Sequence, residues 1–185
     1  RALIDGPGAE AFKQQVMTWF DSVIKLKEKT TEHVHRYNGR EQIYTTTEFL
    51  HTQSMDLLKG LVWMCAHFHD ARTIATVAAL AERSFRKIPG QGPAAAAVGN
   101  ACLFTLFRSK GLDGIGQLSR LKLRIKQSST VALIDRYLAE AAADKGITVY
   151  EIEDQACDDL GLKDGSRVWE FDGYTATLTV TGPGD

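Results

Sequence analysis

Gly60-Leu61-Val62-Trp63-Met64-Cys65 and Gly99-Asn100-Ala101-Cys102-Leu103-Phe104 are two apolar stretches of helical character that open on glycines 39 residues apart. A glycine inside a helix costs about 1 kcal/mol relative to alanine, so two in matching surroundings predict a helix packed closely against the backbone at each. Stacked helix pairs make such contacts. A period of about 40 residues is the signature of HEAT- and armadillo-like arrays, whose usual role is to present an extended surface to a partner. The expected fold is mainly α, with HEAT/armadillo-like helical repeats followed by a C-terminal β-hairpin.

Working outward, turn and cap residues divide the chain. Phe12, Val16, Phe20, Val23 and Ile24 fall at helical spacing and give a first amphipathic helix from about Ala9 into Lys25 to Lys29. The polar stretch Thr30 to Gln42 reads as a loop, and Thr45 with Glu48 as a capping box for a helix running through about Phe68. Asp70 caps the next helix, in which Ile74, Val77, Ala78, Ala81 and Phe85 share a face, and Pro89-Gly90 ends it. Pro93 opens another, which stops at Lys110-Gly111; Asp113 then caps a segment with Ile115, Leu118, Leu121 and Ile125 on one side. Ser128 or Ser129 starts a helix ended by Gly146, and Thr148 with Glu151 forms a second capping box. From Val168 to Val180 the pattern alternates around Asp172-Gly173, which predicts a β-hairpin. Since a lone hairpin is marginal in water, Trp169, Phe171 and Tyr174 should cover the last helices or join a larger sheet. Three regions follow: an N-terminal helix and loop over 1–50, either separate from or part of the same array, helical repeats over 51–162, and hairpin and tail over 163–185 as the start of a further domain.

At 185 residues, 44% hydrophobic and 24% charged, the chain is long enough to bury a sizeable core. A net charge of −1 provides no whole-chain field to attract nucleic acid or an anionic membrane, so any such binding is local. Cys65, Cys102 and Cys157 are odd in number and widely spaced, which disfavours a disulfide framework and favours a reducing, cytoplasmic setting. No apolar run approaches the roughly 20 residues of a membrane span, and no charged-then-apolar leader is present. The start at Arg1 and the end amid Gly182-Pro183-Gly184-Asp185 read as an excerpt of a longer protein.

The segments Lys59-Gly60-Leu61-Val62-Trp63, Arg86-Lys87-Ile88-Pro89-Gly90-Gln91-Gly92-Pro93, Gly99-Asn100-Ala101-Cys102-Leu103, Gln117-Leu118-Ser119-Arg120-Leu121-Lys122 and Glu151-Ile152-Glu153-Asp154 carry a resemblance. Over about residues 55 to 180 the chain resembles the helical region of large bacterial MolR-like proteins of unknown function. In that family the region precedes a C-terminal domain of unknown function, and an N-terminal WGR domain sometimes accompanies it. The shared segments are structural punctuation, so the resemblance implies a helical scaffold and carries no active-site residues across. The family name points towards molybdate regulation and the WGR association towards nucleic acid.

Several clusters imitate chemical motifs. Cys65, His67 and His69 sit near a helix end, where Cys65 and His69 could face one metal, and His33 with His35 could add a pair. Two ligands do not close a site, no Cys-x-x-Cys or His-Glu-x-x-His fixes a geometry, and no metal or cofactor is expected. Ser22 with Lys25 and Ser84 with Lys87 match a Ser-x-x-Lys spacing without its companion elements. Gly90-Gln91-Gly92-Pro93 follows a helix rather than a strand and reads as a turn, not a phosphate loop. Asp158, Asp159 and Asp164 do not form a calcium loop, because Lys163 interrupts the ligand series.

Arg120, Lys122, Arg124 and Lys126 are the candidate binding residues. On one helix, Arg120 and Arg124 form a basic stripe and Lys122 and Lys126 a second, with Arg83, Arg86 and Lys87 close by on the preceding repeat. The bland reading is a solvated face whose long stems cover apolar neighbours. Leu123, projecting off the main apolar stripe, fits a solenoid helix that touches neighbours on two sides. The expected function is a non-catalytic scaffold or protein-interaction segment of a larger bacterial protein. The alternative is a nucleic-acid-associated module, which requires the basic residues to converge. Catalysis would require a pocket with convergent polar groups.

Overall fold

The periodicity of the apolar residues sets the core. In a computed structural model, which describes residues 8–157, 162 and 164–182, Val16, Met17 and Phe20 of α1 (Ala9–Lys25) are fully buried at helical spacing. Leu58 and Val62 of α2 (Thr52–Met64) and Ile74, Val77 and Leu80 of α3 (Ala71–Phe85) continue the same cluster. Val98, Leu103 and Leu106 come from α4 (Ala96–Phe107), Ile115 and Leu118 from α5 (Asp113–Arg124), Ile134 and Leu138 from α6 (Ser128–Lys145), and Ile152 from α7 (Val149–Gln155). Burying each such side chain contributes roughly 1.5–3 kcal/mol, so these contacts dominate the stability.

The helices pack in two rows. α1 lies on α3, α3 on α5, and α5 on α7, while α2 lies on α4 and α4 on α6; α3 also packs on α4, α4 on α5, α5 on α6, and α6 on α7. Polar ties reinforce both rows. Lys13 reaches Asp70 at 3.3 Å between α1 and α3, the Thr105 hydroxyl donates to the Val62 carbonyl at 3.0 Å between α4 and α2, and the Ser119 hydroxyl donates to Glu153 at 3.1 Å between α5 and α7. Small antiparallel sheets complete the described fold: β1 (Lys29–Tyr37) with β2 (Arg40–Glu48), β3 (Lys87–Ile88) with β4 (Gly92–Pro93), and β5 (Ser166–Phe171) with β6 (Tyr174–Thr179).

Several caps match the sequence. The Asp70 carboxylate accepts from the Thr73 backbone N–H at 3.1 Å, Thr148 and Glu151 form a reciprocal capping box, and Gly146 ends α6 with a left-handed φ of 68°. The hairpin at the end of the chain turns at Asp172 and Gly173, with Phe171 opposite Tyr174. Its Phe171 and Tyr174 side chains are exposed instead of covering helices, and Trp169 lies half-buried beneath the Arg167 guanidinium at 4.8 Å.

Other expectations need correction. Thr30 to Gln42 is not a loop: Lys29 to Glu48 forms a nine-pair ribbon that turns at Asn38 (φ 49°) and Gly39 (φ 73°). Both turn residues adopt the positive φ of a primed hairpin turn, which Asn-Gly accommodates readily. Thr45 is consequently paired with Glu32 in β2, and the following helix starts at Thr52 behind His51 with no side-chain cap. Asp113 is already the first residue of α5 and accepts no capping bond, while Pro93 belongs to β4 and the next helix begins at Ala96. Leu123 is 85% exposed, so α5 makes no second contact through it.

Gly60 and Gly99 differ in what faces them. A Cβ on Gly99 would lie 2.6 Å from the Phe85 ring, so α3 does press on α4 there; a Cβ on Gly60 would meet nothing within 4 Å. Only one of the pair marks a close approach. Asp158, Asp159 and Lys163 of the rejected calcium loop lie outside the described residues.

Candidate binding cleft at the ends of α1, α3 and α5

Where α3 ends, the chain reverses through the short β3–β4 turn; where α5 ends, Ile125 turns extended and leads into α6. These two exits, with Ile24 of α1, enclose a cleft of about 830 Å³. That volume lies within the usual range for binding pockets, roughly 300–1,000 Å³. Ile24, Phe85, Pro93 and Ile125 supply an apolar lining, and Arg83, Arg86, Lys87, Arg124 and Lys126 bring five cations, of which Arg83 is buried and paired with Glu28; among the described residues Glu82 is the only carboxylate in the lining. A narrower groove of about 300 Å³ between α3 and α5 adds Arg120 and Gln117, and it shares Ala79, Glu82 and Arg124 with the cleft. The two cavities adjoin at these shared residues, and the pair is termed the trough.

The sequence-predicted stripe is therefore divided. Arg120, Arg124 and Lys126 line the trough, although Lys126 lies beyond the end of α5. Lys122 belongs elsewhere: its ammonium pairs with Asp135 of α6 at 2.8 Å, and that contact raises its pKa above the ordinary lysine value. Arg83, Arg86 and Lys87, expected near the stripe, do converge on it.

Two ion pairs already operate there. Arg124 Nη1 reaches Glu82 Oε2 at 2.8 Å across α3 and α5, with both side chains substantially exposed. Arg83 is buried, and its Nη2 donates to the Leu26 carbonyl at 2.8 Å and pairs with Glu28 at 3.0 Å, while its guanidinium lies 3.8 Å from the centre of the Phe49 ring. Leu26 and Glu28 precede the β1–β2 ribbon and Phe49 follows it, so Arg83 clamps both ends of the ribbon to α3. Glu28's own backbone N–H, followed by the fields of Arg83 and Arg86, holds its carboxyl below the usual range despite partial desolvation. Lys87 and Lys126 make no ion pair among the described residues. Part of this positive charge offsets the partial negative charge of the C-terminal ends of α3 and α5.

The Gln127 amide donates through Nε2 to the Phe85 carbonyl at 2.7 Å, which fixes one wall of the cleft. Gln127 Oε1 and Arg83 Nη1 are buried without a hydrogen-bond partner among the described residues. Groups of this kind cost about 1–3 kcal/mol each when unmet. Sequence reasoning missed Gln127 and the clamp role of Arg83, because both depend on contacts 42 or more residues away.

The remaining motif residues are held in separate arrangements. His69 Nδ1 accepts from the Lys110 backbone N–H at 3.2 Å, and its pKa is lowered by burial and then by the neighbouring Lys110 and His67 charges. Cys65 is buried, and desolvation pushes its thiol up to about 12, so it is chemically quiet; Cys102 is shifted upward for the same reason. His33 stacks on Tyr44 in the β1–β2 ribbon and shares a 2.8 Å hydrogen bond with Thr46. Among the described residues no three His, Cys, Asp or Glu side chains form a metal-holding group, and no helix is long and apolar enough to cross a membrane. Comparison with protein-family models, with curated proteins and with solved structures yields no match for this chain.

Proposed function

We propose that this chain is a non-catalytic interaction segment of a larger bacterial protein, related to the MolR-like helical region, and that the α1–α3–α5 trough receives an acidic, partly apolar segment of a partner protein. The carrying observation is the meeting of four exposed cations, Arg86, Lys87, Arg124 and Lys126, with an apolar lining in one cleft. Its continuation along the α3–α5 groove makes the surface elongated, which suits a peptide segment better than a compact ligand. The two-row packing, in which each helix touches its immediate neighbour and the next but one through most of the array, supports the HEAT-like reading of the scaffold. In that reading the β1–β2 ribbon is an insertion within the first helix pair, and the C-terminal hairpin begins a further domain.

The same convergence of cations also favours the nucleic-acid alternative, and the identity of the probe that binds separates the two, since salt weakens charge attraction to either. The probe is a fluorescein-labelled peptide of about twelve residues alternating Glu with Leu and Phe, compared with a labelled DNA duplex by fluorescence anisotropy. The acidic peptide is expected to bind saturably, and the variant Arg86→Gln/Lys87→Gln/Lys126→Gln to lose at least about tenfold in affinity, since interfacial charges act together. Tight duplex binding that weakens steeply with salt and disappears in the variant would replace this reading with the nucleic-acid one. Absence of binding to either probe would contradict both.

A further inference from the structure

Glu82 stands where an incoming carboxylate would have to bind. It is the only carboxylate lining the main cleft among the described residues, it reappears in the adjoining groove, and it pairs with Arg124 at 2.8 Å. Its side chain is 47% exposed, so burial does not fix it in place. An exposed ion pair of this kind contributes little to stability, typically below about 1 kcal/mol, and can exchange partners without disturbing the fold.

We infer that Glu82 acts as a built-in competitor: it occupies Arg124 in the empty cleft and is displaced when a carboxylate of an acidic peptide arrives. This inference rests on the proposed acidic-segment function. Arg124 lies on both stretches of the trough, so it is the cation that any occupant running from cleft to groove must meet. While Glu82 holds it, a peptide carboxylate approaching Arg124 meets both a satisfied cation and a like charge. Lys126, which has no ion pair among the described residues, remains available to receive the peptide first. Exchange of Arg124 from Glu82 to the peptide then leaves Glu82 to solvent at small cost. The device discriminates by charge: a neutral peptide offers Arg124 nothing better than Glu82, whereas a peptide with several carboxylates does. No bond is made or broken in the exchange.

The experiment uses the same labelled acidic peptide with the intact chain and Glu82→Gln, which keeps side-chain shape and leaves an acceptor for Arg124. Glu82→Gln is expected to tighten peptide binding by about two- to fivefold, the value of removing one exposed like charge. It should also raise affinity for a peptide with half the acidic residues replaced by Gln, thereby relaxing the charge requirement. Glu140→Gln, an exposed change on α6, makes the same change in net charge away from the trough and is expected to leave affinity unaltered. Equal tightening by both variants would reduce the effect to net charge and overturn the competitor role. If the parent binds the peptide and Glu82→Gln binds no more tightly, the inference fails while the acidic-segment reading stands. If neither protein binds, the underlying reading itself has failed.

Discussion

Replacing Gly60 and Gly99 singly with alanine should change stability in opposite directions. Both residues lie inside helices, so each replacement gains up to about 1 kcal/mol of helix propensity. At Gly60 the new methyl meets no atom within 4 Å, so the gain stands and the variant is more stable by roughly 0.5–1 kcal/mol. At Gly99 it would lie 2.6 and 2.7 Å from two carbons of the Phe85 ring, against a favourable carbon separation of about 3.5–4.0 Å. The ring must shift by about 1 Å. Phe85 is 4% exposed, so the shift displaces packed neighbours, and overpacking of this kind costs about 1–3 kcal/mol. The net for Gly99→Ala is a loss of about 1 kcal/mol. At this chain length the two effects correspond to melting-temperature changes of about 1–4 °C upward for Gly60→Ala and about 2–4 °C downward for Gly99→Ala. Far-UV circular dichroism melts, checked by urea titration, measure both. A comparable rise in both variants would refute the close α3–α4 contact at Gly99.

Arg83→Met keeps most of the stem that packs on Phe49 but removes the bonds to Leu26 and Glu28; it should cost about 1–3 kcal/mol and speed amide hydrogen exchange throughout Lys29 to Glu48, and unchanged exchange would contradict the clamp. His69 has a folded pKa below its ordinary value, so the unfolded chain takes up the proton first: stability is full above about pH 6.5 and declines as pH falls from there through the folded value. Urea midpoints at descending pH should show this decline, and His69→Gln, whose amide oxygen can still accept from Lys110, should flatten it. Replacing Arg120, Arg124 and Lys126 together with Gln should leave stability within about 1 kcal/mol of the parent, because surface charges contribute little to folding; a larger loss in thermal melts would make these residues structural.

Helix existence was legible wherever local chemistry fixed it. Asp70 with Thr73 and Thr148 with Glu151 are caps written within four residues of sequence, and the faces through Ile74, Val77 and Phe85 or Ile115, Leu118 and Leu121 follow directly from the 3.6-residue period. The β1–β2 ribbon was hidden because both its faces are exposed: without a buried side, Thr30 to Glu48 shows no apolar alternation. The readable signal was Asn38-Gly39, a pair suited to a primed hairpin turn, with Val34 and Ile43 and the threonines beyond them on either side. Thr45 and Glu48 imitate a capping box by composition alone, since a strand can carry the same spacing. The basic stripe was visible in part. Helical spacing correctly placed Arg120 with Arg124, but it could not show that α5 stops before Lys126 or that Asp135 holds Lys122. Gly60 and Gly99 shared a sequence context and not an environment, because what faces a glycine is decided by a different helix.

The central claim is that the trough between α3 and α5, rather than any other surface, receives acidic peptide. Two-dimensional ¹H–¹⁵N NMR titration of the labelled chain with the acidic Glu/Leu/Phe peptide tests it most directly. Saturable shift changes are predicted at Arg83, Phe85, Arg86, Lys87, Arg124, Lys126 and Gln127, with small changes along the exposed faces of α2 and α6. Changes centred on the β1–β2 ribbon or on the C-terminal hairpin, with the trough resonances unmoved at saturation, would contradict the assignment.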